Sequence, residues 1–203
     1  MADNKPPSKR QLEIQLAKLR ILDTPKLKLE QYPVSPKTAA ELLYMAGFEH
    51  HDLDGRVIDL GTGTGRLAIG AALMGSKSVL GVDVDPQALE IAHANARTAD
   101  VDVQWLQSAI ESFEGSCDTV VMNPPYGTRT SHADTMFLKT AFKLATVVYS
   151  IHKSSTRDFL TKFVGRSNRT LDAVRSMRME IPHMFSFHTQ KTRRIEVDLC
   201  RLI

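Results

Sequence analysis

The sequence predicts an α/β fold of Rossmann-like type, with a mostly parallel seven-stranded sheet that ends in an antiparallel hairpin. Three observations predict it. The strand-like run Arg56-Val57-Ile58-Asp59-Leu60 passes directly into Gly61-Thr62-Gly63-Thr64-Gly65 and then into the helical pattern of residues 67–73, which is the strand-turn-helix of a nucleotide-binding unit. Short apolar runs then alternate with helical patterns, as in a parallel sheet built from βαβ crossovers. Two β runs, 173–181 and 195–203, close the chain as an expected antiparallel pair at one side of the sheet.

Residues 8–20 carry Leu12, Leu16 and Leu19 on one stripe and predict a helix ended by Pro25. The segment Leu29-Glu30-Gln31-Tyr32-Pro33-Val34-Ser35-Pro36 holds too much proline for a helix or inner strand and predicts an extended connection, either a cover for a cofactor or a plain linker. Helical spacing resumes over 37–45. Past the glycine loop, Gly75 suits a helix C-cap, and Val79-Leu80-Gly81-Val82-Asp83 reads as a second strand ending in a carboxylate placed for ribose hydroxyls. Asp85 and Pro86 take the N-cap and first position of the next helix, with Ala88, Leu89, Ala92 and Ala96 inward. A third strand is expected over 102–106, with Gln107-Ser108-Ala109 at its carboxyl end, where the base of a bound nucleotide is expected to sit. Thr119-Val120-Val121-Met122 gives a buried fourth strand, 133–144 a helix, 147–151 a fifth strand, and Ser155 or Thr156 the cap of a helix reaching Val164.

The chain reads as one domain, 1–203, with 1–37 as a helix and cofactor-covering extension. No apolar run nears the roughly 20 residues of a membrane span, and the N-terminus has no apolar segment of the kind that directs secretion. Cys117 and Cys200 have no Cys-x-x-Cys partner and read as small core residues on strands, in a reducing compartment; no histidine pair has ligand spacing, so no metal is expected. The net charge of +3 is uneven: +4 over 1–37, −7 over 38–150 and +6 over 151–203. An acidic body with basic ends suits phosphate contacts, or is ordinary solvated surface. Lys191, Arg193 and Arg194, with His183, Phe185, Phe187 and His188, put basic and aromatic residues together in the last hairpin's connection, either for RNA contacts or with the Phe pair in the core. Residues 127–132, which include Arg129, are small, polar and partly basic, as in a lid over a substrate entrance.

The stretch that organises the chemistry is Asn123-Pro124-Pro125-Tyr126, directly after the fourth strand. The prolines forbid both a continued ladder and an immediate helix, so the tetrapeptide is a stiff loop at the carboxyl end of the sheet, where ligands of open α/β sheets bind. Such a loop suits methyl transfer to a planar nitrogen, whose lone pair is delocalised and which attacks only when acceptors hold its N–H groups. Asn123 Oδ1 and the Pro124 carbonyl are the expected acceptors, and Tyr126 the surface on which a flat acceptor group stacks. Taken alone the tetrapeptide is equally an ordinary turn; behind a cofactor loop it reads as functional. A dinucleotide fingerprint would need glycine at position 66, where this chain has Arg66, and a Walker loop is absent. Asp59-x-Gly61-x-Gly63-x-Gly65, Asp83 and the Asn-Pro-Pro-Tyr loop, in that order, point to S-adenosylmethionine as cofactor.

With these residues in place the chain resembles the methyltransferase-like five family, rRNA adenine N6-methyltransferases of the class I fold. The resemblance runs through Leu29-Glu30-Gln31-Tyr32-Pro33, Asp59-Leu60-Gly61, Asp83, Met122–Thr128, His152-Lys153-Ser154-Ser155-Thr156-Arg157 and Ile195–Leu199. It implies N6-methylation of one adenosine in small-subunit (18S) rRNA, in nucleus (nucleolus) and cytoplasm, with cofactor contacts from Gln31, Val34, Gly61, Thr64, Asp83 and Ser108; Gly63 and Ala109 beside them are further expected contacts. It also implies a heterodimer with a small zinc-binding activator subunit that covers a hydrophobic sheet edge. Val34, Arg66 and Ser108-Ala109 depart from the family pattern, which has Thr, an aliphatic residue and an acidic start there. Two other functions use the same parts: a protein glutamine N5-methyltransferase, because a side-chain amide presents the same planar nitrogen, and a non-catalytic RNA-binding assembly factor.

Overall fold

The computed structural model describes residues 6–126, 133–182 and 192–203, with the side chains of 133, 181, 182, 192 and 193 outside the description. The first helix, α1 (Lys9–Ala17), starts where Ser8 and Gln11 form a reciprocal capping box, and it buries Leu12 and Leu16. A single 3₁₀ turn, Leu27–Leu29, precedes the extended stretch, which therefore starts at Gln31 and not at Leu29. Then Ser35 caps α2 (Pro36–Tyr44), with proline at the first position.

The core follows as β1 (Arg56–Leu60), α3 (Arg66–Leu73), β2 (Ser78–Asp83), α4 (Pro86–Ala99), β3 (Gln104–Gln107), β4 (Thr119–Met122), α5 (Ala133–Leu144), β5 (Val147–Lys153), α6 (Arg157–Arg166), β6 (Leu171–Pro182) and β7 (Thr192–Leu202). The seven strands form one sheet in the order β3-β2-β1-β4-β5-β7-β6. The first five are parallel among themselves, and β7 runs antiparallel to both β5 and β6. Side chains alternate across the sheet. Val57, Val121, Tyr149 and Ile151 join a cluster with Leu12, Leu42 and Ile69 on one face; Ile58, Leu60, Val120, Met122 and Val148 join Leu138, Ala141 and Leu160 on the other. No described helix is long and apolar enough to cross a membrane.

This order fixes the site. The chain leaves β1 towards β2 and β3, then returns past β1 to β4 and β5, so the switch point lies between β1 and β4. Gly61, Asp83 and Asn123 stand at the carboxyl ends of β1, β2 and β4, around the crevice that such a switch opens.

Four further expectations are corrected. The third strand begins at Gln104 rather than residue 102 and takes in Gln107. Cys117 precedes β4 in irregular backbone and is half-buried; only Cys200 is a buried strand residue. Thr156 occupies the α6 N-cap but caps nothing, because its hydroxyl donates to the Lys153 carbonyl at 2.8 Å. Residues 192–194 pair with 180–182 inside the hairpin, so the connection between β6 and β7 is shorter than expected.

Candidate active site

The glycine loop is tied down from both ends. Gly61 and Thr62 donate their N–H groups to the Val82 carbonyl, at 2.8 and 3.0 Å. Behind them, buried Asp59 accepts from Thr62 Oγ1 at 2.6 Å and from the Ala68 N–H at 2.9 Å, so one carboxylate closes the turn and holds the first turn of α3. Burial pushes that carboxyl up to about 7, against the two bonds that favour its charge. Gly61 and Gly63 have φ of +69° and +55°. A Cβ at Gly61 would stand 2.7 Å from the Phe137 ring, whereas nothing lies within 4 Å of one at Gly63, which borders open space.

That space is a cavity of about 380 Å³, lined by the loop, by Asp83, Ala109, Glu111 and Asn123, and by residues 30–34 of the extension. Buried Asp83 accepts from the Gly63 N–H at 2.7 Å through one oxygen and from the Asp85 N–H at 2.9 Å through the other. A carboxylate has about four lone-pair sites, so acceptor capacity is left for a ligand hydroxyl. Desolvation raises the Asp83 carboxyl above the usual carboxylate range.

The extension closes the cavity and also holds the Asn-Pro-Pro-Tyr loop. Asn123 Nδ2 donates to the Tyr32 carbonyl at 3.2 Å, which fixes which end of the amide is the acceptor, and Tyr126 Oη donates to that Oδ1 at 3.3 Å. The Tyr126 N–H donates to Glu30 Oε2 at 3.1 Å. Glu30 itself is buried and left-handed, at φ +47°. Burial raises the Tyr126 phenol, which stays neutral. Lys153 Nζ stands 5.2 Å from the centre of the Tyr126 ring. Lys153 ends β5, in a stretch anchored by Asp198, which accepts from Ser154 Oγ at 2.7 Å and from Arg157 Nε at 2.7 Å.

We expect Glu30→Ala to lower the rate of methyl transfer by about 10²-fold through misplacement of the loop. Single-turnover transfer measures it, and an unchanged rate would mean that the prolines alone hold the loop. Nearby, buried His152 shares a 2.7 Å hydrogen bond with Ser150 Oγ, and burial pushes its imidazole down to about 4. The folded state therefore binds fewer protons than the unfolded state between about pH 6.5 and 4, so stability falls as pH drops through that window. His152→Gln should flatten that slope in thermal melts taken from pH 7 to 4; an unaltered slope would assign it elsewhere.

The structure brings most of the expected site together. Gln31, Val34, Gly61, Gly63, Thr64, Asp83, Ala109, Asn123 and Pro125 line the cavity. Ser108 does not, and its hydroxyl donates to the Ala109 carbonyl at 3.0 Å. The carboxylate on that wall is Glu111, two residues beyond the expected pair. Gln31 spends its amide internally, donating to Asp85 at 2.7 Å and accepting from the Lys26 N–H at 2.7 Å. Pro124 is buried and Tyr126 half-buried, both beside the cavity wall and outside it. Arg129, Lys191 and the aromatic residues of the last connection lie outside the described residues, as does the Arg193 side chain. Arg194 is exposed on β7 and paired with Glu180 at 3.0 Å, so it is less available to a phosphate than its charge suggests. Sequence reasoning missed Glu30, Arg66 and Lys153 as site residues, although Glu30 and Lys153 sit inside quoted motifs.

Comparison with known proteins separates the cofactor half from the whole. The profile of the ribosomal protein L11 methyltransferase (PrmA) family matches residues 38–124. A protein N5-glutamine methyltransferase candidate of Methanocaldococcus jannaschii is 33% identical over 102 residues, 50% of this chain and 51% of its own. In contrast, the rRNA N(6)-adenosine-methyltransferase METTL5 of Danio rerio is 35% identical over 200 residues, 95% of this chain and 97% of its own. The chain belongs to the METTL5 family. The solved structure of PH1948 from Pyrococcus horikoshii, a candidate RNA methyltransferase, agrees, with a TM-score of 0.90 and 37% identity over 97% of each chain. The METTL5-family chain is thus a class I methyltransferase that uses S-adenosylmethionine, and the open cradle at Gly63 beside Asp83 fits that cofactor.

Proposed function

We propose that this protein transfers a methyl group from S-adenosylmethionine to the N6 amine of an adenosine in rRNA. The observation that carries the reading is the fixed Asn123 amide: its donor end is taken by Tyr32, so the acceptor end meets the substrate from a proline-stiffened loop beside the cofactor cavity. When bound, the cofactor supplies an electrophilic methyl on a sulfonium. Asn123 Oδ1 and the Pro124 carbonyl accept the two N–H bonds of the amine, which turns its lone pair out of the ring and towards the methyl. Oδ1 exchanges its present partner, the Tyr126 hydroxyl, for the amine, and the Tyr126 ring stacks on the flipped base. No side chain has to remove the proton first, because the nitrogen becomes acidic once methylated and releases it to water.

An adenine and a glutamine side chain present the same planar nitrogen, and full-length similarity to an adenosine enzyme, against half-length similarity to a glutamine enzyme, favours the adenine. We propose further that the target lies in small-subunit (18S) rRNA. We also propose that a small zinc-binding activator subunit covers the β3 edge, where Leu106 is 41% exposed. Arg129, Lys191, Arg193 and Arg194 are the proposed RNA contacts of the chain's basic end.

The test is methyl transfer from labelled S-adenosylmethionine to total RNA and total protein in parallel, with and without the activator subunit. Label in small-subunit rRNA supports the proposal. Label in protein alone would replace it with the glutamine reading. No transfer, with no cofactor binding, would leave only the assembly-factor reading.

A further inference from the structure

Arg66 opens α3 directly behind the glycine loop and lines the cofactor cavity, yet it is only 8% exposed. Its guanidinium donates to two backbone carbonyls of the extension, Val34 at 2.5 Å and Leu19 at 3.3 Å. The Nε–H has no partner, and among the described residues no carboxylate lies within ion-pair distance of the group. Neutral carbonyls satisfy hydrogen-bonding capacity without balancing the charge, and a buried cation without a counter-charge is costly. Burial lowers the guanidinium to about 10, still far above neutral pH, so the group stays charged.

The other charged groups on the cavity wall are Glu30, Asp59, Asp83, Glu111 and the exposed Lys28. A wall dominated by carboxylates suits a ligand that carries positive charge, while its one buried cation needs an anion. The Asp59 carboxylate is spent on the Thr62 hydroxyl and the Ala68 N–H, so it does not serve as that anion. Topology supplies the placement. Arg66 follows β1, between Asp83 at the end of β2 and Asn123 at the end of β4. A ligand with its ribose at Asp83 and its reacting group before Asn123 has one branch left for the space between them.

We propose that Arg66 is the counter-charge for the carboxylate of the cofactor's amino-acid tail, and so selects the intact cofactor over forms that lack that carboxylate. This rests on the reading that the cavity holds S-adenosylmethionine. The same side chain ties the extension to the loop, so the carboxylate, the cavity cover and the glycine loop meet at one guanidinium.

Calorimetry with S-adenosylmethionine and its decarboxylated form tests this, because the two ligands differ only in the group at issue. The wild-type protein should bind the carboxylated form about 10- to 100-fold more tightly, the range of one charge-assisted contact. Arg66→Gln, which keeps amide donors for the Val34 carbonyl, should bind the two forms within about threefold of each other. Arg66→Lys keeps the charge and should retain part of the preference, and it carries the test if the neutral variant does not fold. Equal loss of both ligands in Arg66→Gln would make Arg66 a clamp on the extension and overturn the proposal, as would an undiminished preference for the carboxylated form. Failure of the wild-type protein to bind either ligand would overturn the cofactor reading and this proposal together.

Discussion

Asn123→Ala should lower kcat by about 10²- to 10³-fold while changing cofactor affinity less than about threefold. The expectation follows from what the side chain touches. Its amide bonds the Tyr32 carbonyl and the Tyr126 hydroxyl and makes no bond to Asp83 or the glycine loop. The acceptor acts on charge that develops as the amine pyramidalises, so its loss falls on the chemical step. Asn123→Asp keeps an acceptor but replaces the donor to Tyr32 with a second acceptor facing a carbonyl, and intermediate activity is expected. Single-turnover rates and calorimetry read the two quantities separately. A large loss of cofactor affinity in Asn123→Ala, with the rate at saturation preserved, would make the tetrapeptide a structural element.

The second large effect is at Asp83. Replacement by alanine removes the expected ribose acceptor and also frees the Gly63 and Asp85 N–H groups, so the loop keeps its bonds to the Val82 carbonyl but loses the tie at Gly63. Hydrogen bonds to a charged group contribute about 1.5–3 kcal/mol each, so loss of one or two predicts cofactor dissociation weakened by about 10²-fold or more. Calorimetry with S-adenosylhomocysteine measures it. Unchanged binding would refute the ribose role and leave Asp83 as a loop anchor.

The residues differ in how much of this was legible. The parallel core was readable because each strand is a short apolar run and each helix carries its own punctuation, such as Asp85-Pro86 at the start of α4 and Gly75 after α3. The Asn-Pro-Pro-Tyr loop was readable because proline removes alternatives. What escaped was set by long-range packing. Glu30 bonds Tyr126 across 96 residues and Arg66 bonds Val34 across 32, and nothing in local spacing encodes either contact. Arg66 and Val34, both departures from the family pattern, turn out to be in direct contact. Conversely, the basic residues at the chain's end read as a phosphate surface, but Arg178 and Arg194 face Glu196 and Glu180 across the hairpin at 2.7 and 3.0 Å. Charge counts cannot see cross-strand pairing.

The central claim is that the planar nitrogen methylated here is the N6 amine of adenosine. Its most direct test is to label RNA with the wild-type enzyme, digest it to nucleosides and identify the labelled species by mass spectrometry. The account predicts N6-methyladenosine, absent when Asn123→Ala is used. A label found instead on a ribose hydroxyl or a ring carbon would contradict it, because neither atom needs a pair of acceptors for its hydrogens.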